Sequence, residues 1–154
     1  MRGGILGALV LGLALLAAGC SLPRITVHDD PLSADEHLRL GMAYEAKGDL
    51  DAAAAEYGKA MHREPLARLY LGNVFYARGK LPEAEAEYRA ALERLPGNPE
   101  VRNNLAWVLL KRGRALEEAQ ALAEAAVAAA PSEAARKAYR DTLDAIRAAR
   151  AAPQ

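Results

Sequence analysis

From Ser33 onward, small and large apolar residues recur in one register, with polar residues filling the intervals. Leu40-Gly41-x-x-Tyr44, Leu71-Gly72-x-x-Phe75 and Leu105-Ala106-x-x-Leu109 superimpose, which brings Gly48, Gly79 and Gly113 to the same offset. Ala53, Ala84 and Ala119 then coincide, followed by Tyr57, Tyr88 and Ala123, by Ala60, Ala91 and Ala126, and by Pro65, Pro96 and Pro131. Each unit reads as a helix, a glycine turn and a second helix closed by proline. Helix starts are written in as well. Ser33 and Glu36 have capping-box spacing, Asn98-Pro99-Glu100 offers an N-cap followed by proline in the first turn, and Ser132 can cap a last helix. Val, Ile and Thr are too scattered to build strands, so the predicted fold class is all-α.

After Pro131, residues 132–149 carry Ala135, Tyr139, Leu143 and Ile146 on one helical face and Arg136, Arg140, Asp144 and Arg147 mostly on others. The pattern predicts a terminal helix that covers the open apolar end of the stack. A helix that docks on a partner or a membrane surface is the alternative, and its mixed charge argues against a basic membrane-binding face.

A small residue, an aromatic, a second small residue and a closing proline in each helix pair are similar to the tetratricopeptide repeat (TPR). The resemblance covers about 34–131, as repeats at about 34–64, 65–98 and 99–131, with a capping helix at 132–150. It implies a right-handed α-solenoid of three helix pairs. Glycine or alanine permits close helix approach while Tyr44, Phe75, Tyr57 and Tyr88 fill the space beside it. The repeats depart from the family pattern in places. Gly41 to Gly72 advances only 31 positions against a usual 34, which requires an abrupt junction at Arg63-Glu64-Pro65-Leu66. In the third unit Ala106 and Ala123 replace glycine and aromatic, and one extra residue lies between Gly113 and Ala119. His37, Arg68 and Arg102 stand where the family has its first aromatic.

The N-terminal segment has a different pattern. Residues 1–19 hold one charge, Arg2, and an apolar run from Ile5 to Ala18 that is too short to span a bilayer. Leu16-Ala17-Ala18-Gly19-Cys20 follows, and Cys20 is the only cysteine in the chain. This resembles a bacterial lipobox, which implies removal of 1–19 as a signal peptide and lipidation of Cys20. Two or more acyl chains hold a protein stably at a membrane, whereas one does so only marginally. Ser21 in place of aspartate implies sorting to the outer membrane, facing the periplasm, by the proteobacterial rule. Residues 20–33, with Pro23 and Pro31 and no helical period, read as a tether.

Charge narrows the function further. The chain holds 20 basic and 20 acidic residues, and losing the leader removes only Arg2. This balance offers nothing to nucleic acid. His28, Asp29 and Asp30 form a metal-like run, but adjacent residues in an extended tether cannot close a metal site. His37 and His62 read as solvated helix residues. Glu83, Glu85, Glu87, Glu117 and Glu118 read as solvent-facing carboxylates near basic residues. No nucleophile with an acid and base emerges, so the expectation is a non-enzyme without cofactor, metal or small-molecule substrate.

The resemblance implies that the first helices of successive repeats line a concave groove for peptides or a partner helix. Matching positions are Leu38, Met42 and Glu45, then Leu69, Asn73 and Tyr76, then Asn103, Trp107, Leu110 and Lys111. Asn73 and Asn103 can hydrogen-bond a peptide backbone. Tyr76 and Trp107 can supply apolar anchors, although Trp107 reads equally as core beneath the terminal helix. Leu38 and Met42 stand where carboxylate-clamp members carry polar residues, which excludes that binding mode. The implied function is a lipid-anchored adaptor that binds an envelope protein, as related lipoproteins recruit peptidoglycan hydrolases. An assembly factor or pilotin for a pilus or secretion pore, and a non-catalytic subunit of an envelope enzyme, are the alternatives.

Overall fold

The computed structural model describes residues 30–152; Cys20, the apolar leader and the tether as far as residue 29 lie outside the described residues. Seven helices follow in order: α1 (Ala34–Ala46), α2 (Leu50–Ala60), α3 (Leu66–Ala77), α4 (Leu81–Arg94), α5 (Pro99–Lys111), α6 (Leu116–Ala128) and α7 (Glu133–Ala151). No strand occurs among the described residues, and none of the helices is long and apolar enough to cross a membrane.

The predicted caps form. Ser33 accepts from the Glu36 N–H while the Glu36 side chain accepts from the Ser33 N–H at 2.7 Å, which completes the box at α1. Asn98 Oδ1 accepts from Glu100 and Val101, and Ser132 Oγ accepts from Ala135. Such caps each contribute about 1 kcal/mol. Gly48, Gly79 and Gly113 all have positive φ and make the same turn within each helix pair.

Helices pair as α1 with α2, α3 with α4 and α5 with α6, and each pair stacks on the next. Two pairs are held by one device. The Tyr57 ring lies so close to Gly41, and the Tyr88 ring to Gly72, that a Cβ at either glycine would sit 2.5 Å from a ring carbon. Tyr57 also stacks on Tyr70 of the next pair, with centroids 5.6 Å apart. In the third pair Ala106 and Ala123 occupy these positions, both fully buried. Two apolar clusters run through the stack, one from α1 to α3 and one from α3 to α7, and Leu66 and Phe75 pack against both.

The irregularities of the sequence acquire structural reasons. α2 has 11 residues where α4 has 14, a difference of three residues that matches the shortened first repeat. The extra residue of the third unit enters the turn before α6, where Ala115 adopts left-handed φ +49° without a side-chain cap.

In the first two helix pairs the missing aromatic is replaced by polar pairing between the helices. His37 is 3% exposed, with Nδ1 2.6 Å from Glu56 and Nε2 3.3 Å from Asp30. At the matching place in the second unit, Arg68 pairs with Glu87 at 2.9 Å. His37 is therefore a buried interhelical residue and not a solvated one. Glu85 likewise departs from expectation: it is 6% exposed and pairs with Arg89 on its own helix and with Arg112 at the end of α5. Packing of α5 on α4 covers the face on which Glu85 sits, and the two guanidinium groups offset the cost of burying the carboxylate.

α7 packs against α6 and α5, in the place that the first helix of a fourth unit would take. Leu143 and Ile146 enter the larger cluster. Arg147 and Arg150 reach Glu124 and Glu117 of α6 at 3.1 and 3.0 Å.

Candidate functional site

A cleft of about 490 Å³ opens among α3, α4, α5 and α7. Its walls are Asn73 and Tyr76 of α3, Tyr88 of α4, Asn103, Asn104, Trp107 and Val108 of α5, and Ala138, Asp141, Thr142 and Ala145 of α7. Four of the residues named from the sequence, Asn73, Tyr76, Asn103 and Trp107, come together here.

The polar floor is a connected chain. Tyr88 passes beneath Gly72, and its hydroxyl donates to Asn73 Oδ1 at 2.7 Å. Asn104 Nδ2 donates to the same oxygen at 3.0 Å, and Asn103 Nδ2 donates to Asn104 Oδ1 at 3.3 Å. Asn103 Oδ1 ends the chain: it is buried and has no hydrogen-bond partner. An unsatisfied buried acceptor of this kind costs about 1–3 kcal/mol. Burial, with smaller contributions from Tyr76 and Glu100, pushes the Tyr88 phenol well above its ordinary pKa, so it remains a donor.

Trp107 is half-buried. Its Nε1 donates to the Tyr76 hydroxyl at 2.6 Å, which ties α5 to α3, and Lys111 Nζ lies 4.5 Å over its ring. The residue thus joins two helices and lines the cleft at once.

The other positions divide. Leu38 and Leu69 are 7% and 1% exposed and belong to the core clusters, so neither presents its side chain to a ligand. The repeat register placed them on the groove, but close stacking of successive pairs turns this position inward where it is leucine. Leu110 packs against the core as a partly buried residue. Glu45 accepts from the Tyr57 hydroxyl at 2.6 Å, and Met42 is exposed. Both lie on α1, outside the cleft lining.

Sequence reasoning missed Tyr88, Asn104 and the wall from α7. For α7 a signal existed, since Ser132 starts it directly after the closing Pro131, much as Asn98 starts α5 after Pro96. A helix so placed continues the series of first helices and brings its inner face to the concave side. Among the described residues no group of three or more His, Cys, Asp or Glu side chains can hold a metal ion.

The chain matches the tetratricopeptide repeat family in three overlapping stretches, residues 24–65, 38–99 and 69–134. It belongs to that family. The first TPR of Spaghetti (RPAP3), solved with the HSP90 peptide SRMEEVD, superimposes with a TM-score of 0.70 at 20% identity, covering 82% of this chain and 99% of that one. PcrH from Pseudomonas aeruginosa gives 0.66 at 21% identity, over 74% of this chain and 91% of that one. The first TPR domain of human RPAP3 gives 0.63 at 19%, over 78% and 97%. At these identities the likeness is one of fold. No curated protein sequence matches the chain.

Proposed function

We propose that this chain is a non-catalytic adaptor that binds a protein client through its concave face and is held at the bacterial envelope by lipid on Cys20. The cleft carries the first part. It joins aromatic anchors, Tyr76 and Trp107, to amide groups that suit a peptide main chain, on a surface assembled from three first helices. Support for the anchor is the Leu16–Cys20 motif behind the apolar run. With Ser21 after the cysteine, the proposed location is the periplasmic face of the outer membrane.

The test pairs two variants in detergent-solubilised envelopes. Tyr76→Ala, Asn103→Ala and Trp107→Ala combined, once shown to be helical, are expected to lose a client that the wild type captures. Equal recovery from both would remove the cleft from recognition. A wall hydrolase among the captured proteins would identify an adaptor, whereas a pore subunit would identify an assembly factor. Cys20→Ala is expected to abolish metabolic labelling with palmitate and to release the domain from membranes; a labelled, membrane-bound variant would overturn the anchor.

A further inference from the structure

We propose that the cleft takes a cationic side chain, lysine or arginine, from a segment of the client, with its aliphatic stem against Tyr76, Trp107 and Ala145 and its charged head towards Asn103 Oδ1 and Asp141. This rests on the reading of the concave face as the client surface and specifies its chemistry.

Hydrogen bonding gives the first argument. Along the chain from Asn103 through Asn104 to Asn73 and Tyr88, the Tyr88 hydroxyl and one N–H each of Asn103 and Asn104 are used, and Asn103 Oδ1, in a residue that lines the cleft, is a buried acceptor without a partner. Only a donor satisfies it. A carboxylate there would meet acceptor with acceptor.

Charge gives the second. Asp141 lines the cleft, and its partner is Lys137 on the same exposed helix face at 3.0 Å, a pair of a kind that contributes little. Glu100 precedes Asn103 by one turn of α5, and Glu45 lies on α1. Neither joins an ion pair among the described residues. Their charge raises the pKa values of Tyr70 and Tyr88, as a smaller cause than burial. The cation at the far end of α5, Lys111, is seated on the Trp107 ring.

Shape gives the third. A lining that combines Tyr76, Trp107 and Ala145 with Asn103 and Asp141 suits a side chain that has a long hydrocarbon stem and a charged tip. A wholly apolar client residue would fill the walls and leave Asn103 Oδ1 unsatisfied.

The test uses the full chain in detergent micelles and a pool of capped, randomised hexapeptides, with bound peptides read by mass spectrometry. Affinities of selected peptides are measured by the fluorescence of Trp107, the only tryptophan in the chain. Enrichment of arginine or lysine at one position is expected. Asp141→Asn, Asn103→Leu, or citrulline in place of the peptide arginine should each weaken binding about tenfold, the scale of one charge-assisted hydrogen bond. Asp141 is exposed, so Asp141→Asn keeps the test open if Asn103→Leu proves unfolded. Enrichment of aspartate or glutamate overturns the proposal. So does enrichment of uncharged peptides whose affinity Asp141→Asn leaves unchanged, although client binding by the cleft would survive that result. No selected peptide at all, from a folded protein, removes both.

Discussion

Gly72→Ala tests the contact on which the second helix pair is built. The new Cβ would lie 2.5 Å from Tyr88 Cε1, 2.7 Å from Cδ1 and 3.1 Å from Cζ. Carbon atoms rest at about 3.5–4.0 Å, so the overlap is about 1 Å. The ring cannot withdraw cheaply, because Tyr88 is 2% exposed and its hydroxyl is fixed on Asn73. Overpacking of this sort costs about 1–3 kcal/mol. Alanine is also the better helix former by about 1 kcal/mol, so the net loss should be up to about 2 kcal/mol. The sign then depends on the ring. With Tyr88→Ala the clash vanishes while the propensity gain remains, and Gly72→Ala should stabilise that background by about 1 kcal/mol. The third pair already carries this solution as Ala106 with Ala123. Urea unfolding of the four members of the cycle, followed by far-UV circular dichroism with sucrose present to keep the weakest one folded, yields the coupling directly. Gly72→Ala acting with the same sign in both backgrounds would refute the close-approach account. The Gly41–Tyr57 pair should behave alike.

Three further outcomes follow from the same packing. Ile146→Ala, at a fully buried position of α7, should cost about 2–5 kcal/mol, and deletion of residues 132–154 should cause aggregation or loss of helicity; an unchanged melting temperature in either would remove α7 from the core. Ala115→Gly relieves a left-handed alanine, which costs about 1–2 kcal/mol, against an unfolded-state penalty of about 0.4–1 kcal/mol; thermal melts should therefore show a small gain, and a clear loss would contradict the turn geometry. Burial is the leading cause that raises the pKa values of Tyr57, Tyr70, Tyr88 and Tyr139 above 10.0. Each contributes stability that is intact below pH 10 and is lost as pH rises further, because the unfolded chain ionises first. Urea midpoints from pH 8 to 11 should fall above pH 10, with a shallower fall in Tyr57→Phe.

Much of the fold was legible because each repeat carries its own punctuation. Ser33, Asn98 and Ser132 mark helix starts by hydrogen bonds that are local in sequence, and the recurring glycines and alanines mark close approaches. The site was only partly legible. A repeat register gives the phase of a residue about its own helix, but not how deeply the neighbouring pair covers it. Leu38 and Asn103 share one register position, yet the leucine turned into the core and the asparagine into a polar chain. Burial of Glu85 was illegible for the same reason, since Arg112 reaches it from the next unit, 27 positions along the chain. The place of α7 in the cleft wall was not legible because its pattern reads as a cover for the stack or as a docking helix, and not as a continuation of the first-helix series.

Among the described residues, α7 is an unpaired first helix that packs on α5 and α6. A terminal element in a quasi-linear array has neighbours on one side only and opens more readily than the elements within. Here that element is also a wall of the cleft, so the cleft is complete only while α7 is docked. On the proposed reading of the cleft, the affinity for a client is the intrinsic one reduced by the fraction of molecules in the docked state, and a bound client in turn suppresses the opening. Amide hydrogen exchange along residues 133–151 therefore reports occupancy of the cleft, slowing there first and most when the client binds.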